Sequence, residues 1–153
     1  MTKMREHFQT IIRKFGLLNK TCCSAEGIDL SVIQSHILYE IENNKNPSIQ
    51  KVAELLGIDI TTFSRQIQTL VKMELVEKIP SPDDKRVTNL SLTELGKRVA
   101  WEIDCQMHEF IKNIFSGMTA FERETVQISL QLLVEHMNNT ITIGCNTGEG
   151  SKC

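Results

Sequence analysis

The sequence predicts a mainly α-helical fold with one small β-hairpin. Three observations carry this. Apolar residues recur at helical spacing through most of the chain. Near its centre, two short apolar stripes are separated by "GID", a glycine followed by a capping aspartate. Directly after them, "LVEKIPS" and "RVTNLSL" frame the turn "PDDK". Two short helices joined by a glycine-containing turn make a helix-turn-helix. A strand, turn and strand in the next position make a wing. The expected architecture is a winged helix-turn-helix with N- and C-terminal dimerisation helices.

The elements follow in order. Residues 4–19 place Phe8, Ile11, Ile12, Phe15 and Leu18 on one side of a first amphipathic helix. "NKTCCSAEGID" reads as a polar loop. "LSVIQSHILYEIEN" carries Leu30, Ile33, Ile37, Leu38 and Ile41 on one helical face. Pro47 cannot continue that helix and biases Asn46 towards an extended conformation. Ser48 is a good N-cap for a stripe of Ile49, Val52, Leu55 and Leu56, and Gly57 suits a left-handed C-terminal position. Asp59 caps the next helix, whose buried face is Phe63, Ile67, Leu70 and Val71. Ala53 is small enough to let the two helices cross closely. Leu90 and Leu92 alternate with Asn89 and Ser91, the period of a strand.

Thr93 then caps a long helix with Leu95, Val99, Ile103, Phe110, Ile111 and Ile114 on its apolar side. Gly117 interrupts the pattern. A last helix carries Leu130, Leu133, Val134 and Met137. The expected organisation is one domain over residues 1–140. Within it, about 30–95 form the winged lobe, and about 4–20 and 96–140 form dimerisation helices. Residues 141–153 read as a flexible, cysteine-containing tail. Apolar stripes this long find no obvious partner inside a small winged lobe, so pairing in a two-fold dimer is expected.

Bulk properties bound the function. The chain has 153 residues, 41% of them hydrophobic and 24% charged, the profile of an ordinary globular protein. No apolar run approaches the roughly 20 residues that span a bilayer, and the charged N-terminus lacks a signal-peptide core. A cytoplasmic protein with no membrane partner is expected. The net charge of −2 gives no global argument for a polyanionic partner. Its distribution says more: Lys45 to Arg98 holds nine Lys/Arg against seven Asp/Glu, and the remainder is acidic.

The second helix of the pair has an informative polar face. Thr61, Thr62, Ser64, Arg65 and Gln68 lie off its apolar stripe. None is acidic, and all can donate hydrogen bonds to phosphates or base edges. A solvated helix face usually mixes Glu with Lys, and this one has no Glu before Glu74. The expected partner is therefore double-stranded DNA. Two rival classes are weaker. An enzyme would need Asp83 and Asp84 as an acid pair, but a hairpin tip is too exposed to tune them. No phosphate loop, nucleophile elbow or metal-ligand set appears, and no cofactor is expected. A winged helix that binds protein would favour acidic or apolar residues where Thr61, Thr62, Ser64 and Arg65 stand.

Five cysteines occur, at Cys22, Cys23, Cys105, Cys145 and Cys153, without zinc-framework spacing. Cys22, Cys23, Cys145 and Cys153 form a candidate sensing set. They suit either a thiol switch or capture of a thiophilic metal or metalloid. Adjacent cysteines do not readily close on each other, so a partner from the tail or a second subunit fits a disulfide better. Trp101, Cys105 and His108 share a stripe on the long helix, and packing explains such a stripe more often than metal ligation.

The segment "DDKRVTNLSLTELG" is similar to the wing-to-helix pattern of the MarR family of bacterial transcription regulators, with Asp84, Arg86, Leu92, Thr93 and Gly96 as its members. "VAELLGIDITTFSRQIQTLVKMELVEK" resembles that family's helix-turn-helix, and the order of elements matches from about residue 5 to 140. The resemblance implies a homodimeric repressor of a pseudo-palindromic operator. Its inducer would be a small phenolic or aromatic ligand or a thiol oxidant; the option of a thiophilic metal or metalloid comes from the cysteines alone. It also implies a recognition helix at about Ile60 to Met73 and a wing arginine, Arg86, oriented by Asp84. Lys85 is placed to reach phosphate, and Ser48 joins the expected DNA-binding set. A guanidinium fork on Asp84 would aim Arg86 at the minor groove.

Overall fold

The computed structural model describes residues 2–139. The chain divides after His108 into two units. The first contains α1 (Thr2–Lys14), β1 (Cys23–Ala25), β2 (Ile28–Leu30), α2 (Val32–Asn43), α3 (Ile49–Leu56), α4 (Ile60–Lys72), β3 (Val76–Pro80), β4 (Thr88–Leu92) and most of α5 (Glu94–Ser116). The second contains the end of α5 and α6 (Ala120–Asn138). No helix among the described residues is long and apolar enough to cross a membrane.

Short-range chemistry sets the helix ends. Ser31 caps α2 in a reciprocal box with Gln34, whose side-chain oxygen accepts the Ser31 N–H at 2.9 Å. The Ser48 hydroxyl accepts the Lys51 N–H at 3.1 Å and starts α3. Gly57 ends α3 at φ 63°, a left-handed conformation that costs glycine nothing sterically. Asp59 starts α4 by accepting the Thr62 N–H at 2.9 Å. Thr119 and Glu122 form a second capping box at α6.

The first unit closes around one core. It takes Ile37, Leu38 and Ile41 from α2, Val52 and Ala53 from α3, and Phe63, Ile67 and Leu70 from α4. Leu75, Val76, Leu90 and Leu92 enter from the wing, and Val99 from α5. Phe63 is completely buried. Burying a side chain of that size contributes roughly 1.5–3 kcal/mol, so tertiary packing rather than intrinsic propensity holds α4.

The wing is an antiparallel pair in which Val76 faces Leu92, Lys78 faces Leu90 and Pro80 faces Thr88. It does not stand alone. Ser48 bridges to Asn89, and the Leu90 N–H donates to the Pro47 carbonyl at 2.8 Å. The linker before α3 thus pairs with β4 and ties the wing to the helix-turn-helix. On the far side, α5 begins against the residue that follows α4. A Cβ built on Gly96 would lie 2.0 Å from the Leu75 carbonyl oxygen.

Several expectations are corrected. The first helix stops at Lys14, not at residue 19, because Gly16 turns the chain at φ 70°. The stretch expected as a polar loop is the β1–β2 hairpin, with Ala25 and Leu30 buried. Leu30 therefore belongs to a strand, not to α2. Asn46 is left-handed at φ 58° rather than extended, since Lys45 and Asn46 together reverse the chain into Pro47. Ile33, Leu55 and Val71 are exposed, lying at the margins of stripes whose centres alone reach the core. Apart from these corrections, Phe110, Ile111 and Ile114 on α5 and Leu130, Leu133, Val134 and Met137 on α6 are exposed, as a single chain leaves stripes expected to pair in a dimer, and α6 buries no residue.

The Gly96 contact is with backbone, which cannot swing aside. Gly96→Ala should lower stability by about 1–3 kcal/mol through a reduced urea midpoint. Gly117→Ala, where an added Cβ meets nothing within 4 Å, should stay within about 0.5 kcal/mol of the parent.

Candidate nucleic-acid interface

The apolar face of α4 is held by Phe63, Ile67 and Leu70, so its opposite face is presented outward. Thr61, Thr62, Arg65 and Gln68 are exposed and Ser64 is half-buried. No Asp or Glu occurs from Ile60 to Lys72. Thr62 is partly committed: its side chain and its N–H both bond the Asp59 carboxylate. Those bonds hold the Asp59 carboxyl below its ordinary range. Ser48 is half-buried, its hydroxyl oxygen engaged by Lys51 and its backbone by Asn89, which leaves the hydroxyl proton as its outward donor.

The wing tip is a closed turn. The Ser81 N–H donates to the Val87 carbonyl, and the Val87 N–H to the Asp84 carbonyl, both at 2.9 Å. The Asp83 N–H reaches the Ser81 hydroxyl at 3.4 Å. One oxygen of Asp84 accepts both the Arg86 backbone N–H at 2.9 Å and the Arg86 Nε–H at 3.4 Å. The expected two-oxygen fork does not form, because Asp84 must also hold the backbone two residues on. The Arg86 side chain is 93% exposed, with its terminal nitrogens free of the Asp84 bond. Lys85 is exposed beside it.

The thiols separate into distinct environments. Cys22 and Cys23 are half-buried at the start of the β1–β2 hairpin, their sulfurs 2.8 Å apart. The Cys22 thiol also donates to the Ser35 hydroxyl at 3.6 Å. Burial, reinforced by the neighbouring Cys22, pushes the Cys23 thiol up to about 12. Cys105 is exposed. Cys145 and Cys153 lie outside the described residues. Along α5, Trp101 is exposed and His108 Nδ1 sits 3.6 Å from an Asp104 carboxylate oxygen. Among the described residues no group of three or more His, Cys, Asp and Glu gathers as a metal site.

Sequence reasoning passed over two features. Lys51 is an exposed cation in the first turn of α3, signalled only by its place three residues after the cap. The hairpin is fastened to α5: the Glu26 N–H donates to Glu102 at 2.9 Å, and the Gln106 side chain to the Ser24 carbonyl at 2.9 Å. Arg98 pairs with Glu26 at 3.5 Å. These partners are far apart in sequence, so no local pattern announces them.

Known proteins are similar to this chain in sequence and in fold. The MarR family model matches residues 30–88. The uncharacterized HTH-type transcriptional regulator YybA of Bacillus subtilis is 30% identical over 125 residues, covering 78% of this chain and 83% of that protein. The HTH-type transcriptional repressor IacR of Pseudomonas putida is 24% identical over 110 residues, covering 72% of this chain and 66% of that protein. In fold, the chain is similar to FabT of Streptococcus pneumoniae, solved in complex with DNA. The TM-score is 0.81 at 18% identity, over 90% of this chain and 97% of that one.

The Asp59 cap makes α4 pH-sensitive. A lowered folded-state pKa means that the ionised cap stabilises the fold at neutral pH and that this contribution is lost as pH falls through the lowered value. Asp59→Asn keeps a capping oxygen without the charge. Its urea midpoint should lie below that of the parent at neutral pH, and the gap should close as pH falls through and below the ordinary aspartate range.

Proposed function

The chain belongs to the MarR family of transcriptional regulators, and on that premise we propose that it represses transcription by binding a pseudo-palindromic operator as a homodimer. The observation that carries this is the acid-free outer face of α4, in one folded unit with a wing tip whose arginine is almost wholly exposed. A helix about 10–12 Å across fits the major groove of B-DNA. Thr61, Thr62, Ser64, Arg65 and Gln68 supply donors for phosphates and base edges. Arg86 enters the minor groove, whose negative potential favours a guanidinium. Lys85 and Ser48 contact phosphate, and Lys51 joins them. The description of IacR as a repressor and the FabT complex with DNA support the sign and the mode.

The dimer follows from uncovered apolar surface. Phe8, Ile11 and Ile12 on α1, and Leu130, Leu133, Val134 and Met137 on α6, are exposed in the single chain. Surface of this extent marks an interaction site, and a second copy covers it with two-fold symmetry. The same axis sets two α4 helices about 34–36 Å apart, one turn of DNA. Release comes from an inducer, for which a small aromatic ligand, an oxidant and a thiophilic metalloid are the candidates. The high pKa of Cys23 weighs against its acting as the oxidant-reactive thiolate.

The test is a mobility-shift titration against DNA from the gene's own upstream region. Arg86→Ala should weaken binding by roughly tenfold or more, the scale of one well-placed arginine. Lys85→Ala should weaken it evenly across sequences and reduce the salt slope by about one. Arg86→Ala binding as tightly as the parent in moderate salt would remove the wing from the interface. Absence of any shift would favour the protein-binding alternative. Sedimentation equilibrium should give twice the chain mass; a monomer would sink the symmetric reading.

A further inference from the structure

The Cys22–Cys23 pair is placed in a way that strand geometry alone would not produce. Successive residues of a strand point to opposite faces. Cys23 is in register with Leu30 as the first residue of β1, whereas Cys22 precedes the strand. Its backbone N–H still donates to the Leu30 carbonyl at 2.9 Å, so its position is fixed. Its side chain turns back, and the two sulfurs converge to 2.8 Å. The Ser35 hydroxyl, itself donating to the Val32 carbonyl at 2.8 Å, holds the Cys22 sulfur from the α2 side. Both thiols are half-buried and so remain reachable.

The geometry points to a bidentate site for a trivalent arsenical, a soft centre that bonds both sulfurs and brings its own third substituent. This goes beyond the regulator reading and does not depend on DNA binding. Soft thiol sulfur suits such a centre. Zinc fits less well, because a structural zinc site takes four protein ligands. Among the described residues no third His, Cys, Asp or Glu joins this pair. An arsenical with one carbon substituent needs only two sulfurs to complete its three bonds.

The step balances without an oxidant. The hydrated arsenical carries two As–O bonds to hydroxide. Each breaks as an As–S bond forms, and each thiol proton leaves with the hydroxide as water. Arsenic stays trivalent, and no electron is transferred. Oxidation to a disulfide makes different demands: an oxidant and a thiolate nucleophile. Cys23, with its thiol pushed up to about 12, keeps its proton at neutral pH. In the condensation the departing hydroxide takes that proton.

The test uses the full chain, reduced, with phenylarsine oxide as probe and intact-mass spectrometry as readout. The parent should gain one phenylarsenic group less two hydrogens. That adduct should survive excess 2-mercaptoethanol and be removed by 2,3-dimercaptopropanol. Two tethered sulfurs act at high effective concentration, so Cys22→Ser and Cys23→Ser should each retain at least about tenfold less adduct under the monothiol. The Cys105→Ser/Cys145→Ser/Cys153→Ser variant leaves the vicinal pair intact and should behave like the parent. It keeps the question decidable if either single variant folds poorly. Retention in Cys22→Ser or Cys23→Ser equal to the parent, or loss in the triple variant, overturns the assignment.

Discussion

The carbonyl oxygen of Leu75 is where three elements meet. It accepts the Thr93 N–H at 3.1 Å, and the Cα of Gly96 packs against it too closely to admit a side chain. One residue earlier, Glu74 is left-handed at φ 59°, and its carbonyl accepts the Thr93 hydroxyl. The same hydroxyl oxygen accepts the Gly96 N–H at 2.9 Å. Thr93 therefore caps α5 and closes the exit of α4 with one side chain. A left-handed non-glycine residue costs on the order of 1 kcal/mol, and the hydrogen bonds and burial of Leu75 around it offset that cost. The pitch of α4 against the wing, and hence the spacing of any two DNA contacts they make, is set at this junction.

Much of this was legible in the sequence because it is local. As caps, Ser48, Gly57, Asp59 and Thr93 act within three or four residues of themselves, so their identity and spacing suffice to place the helix ends. The wing was legible for a related reason: Leu90 and Leu92 keep a period of two over a five-residue strand. The β1–β2 hairpin was not, because strands of three residues are too short to show a period. What makes that hairpin ordered is burial of Ala25 and Leu30 and fastening to α5 through Glu102, Arg98 and Gln106. Leu55 and Val71 were misplaced because helical spacing identifies a stripe but not how wide a neighbour will cover it. In the candidate site, residue types along α4 and the wing were readable; the single-oxygen contact of Asp84 and the convergence of the two thiols depend on torsions that no spacing encodes.

The long apolar stripes show the opposite case, in which the pattern is clear and a single chain does not satisfy it. Apart from the half-buried Val126, α6 keeps its apolar residues exposed although its N-terminus is firmly capped by Thr119 and Glu122. The capping bonds hold the Glu122 carboxyl below its ordinary range, so the helix start is well made in its own right. A helix that is locally complete and apolar on its outside is the kind of surface the proposed dimer would cover.

The electrostatics of the wing follow from magnitude. A net charge of −2 cannot draw the protein to DNA from a distance, so affinity has to come from charges placed at contact. Asp84 beside Arg86 looks at first like a local cancellation. The pair is exposed, and surface ion pairs contribute about 0–1 kcal/mol, so the pair is a poor device for stability. What Asp84 does is geometric. Its oxygen takes the Arg86 N–H at 2.9 Å and only brushes Nε at 3.4 Å, which shapes the turn and leaves the end of the guanidinium facing outward. The carboxylate thereby costs some long-range attraction and in return shapes the turn from which a nearly fully exposed arginine projects. For a chain with no excess of positive charge, placement at contact matters more than long-range attraction.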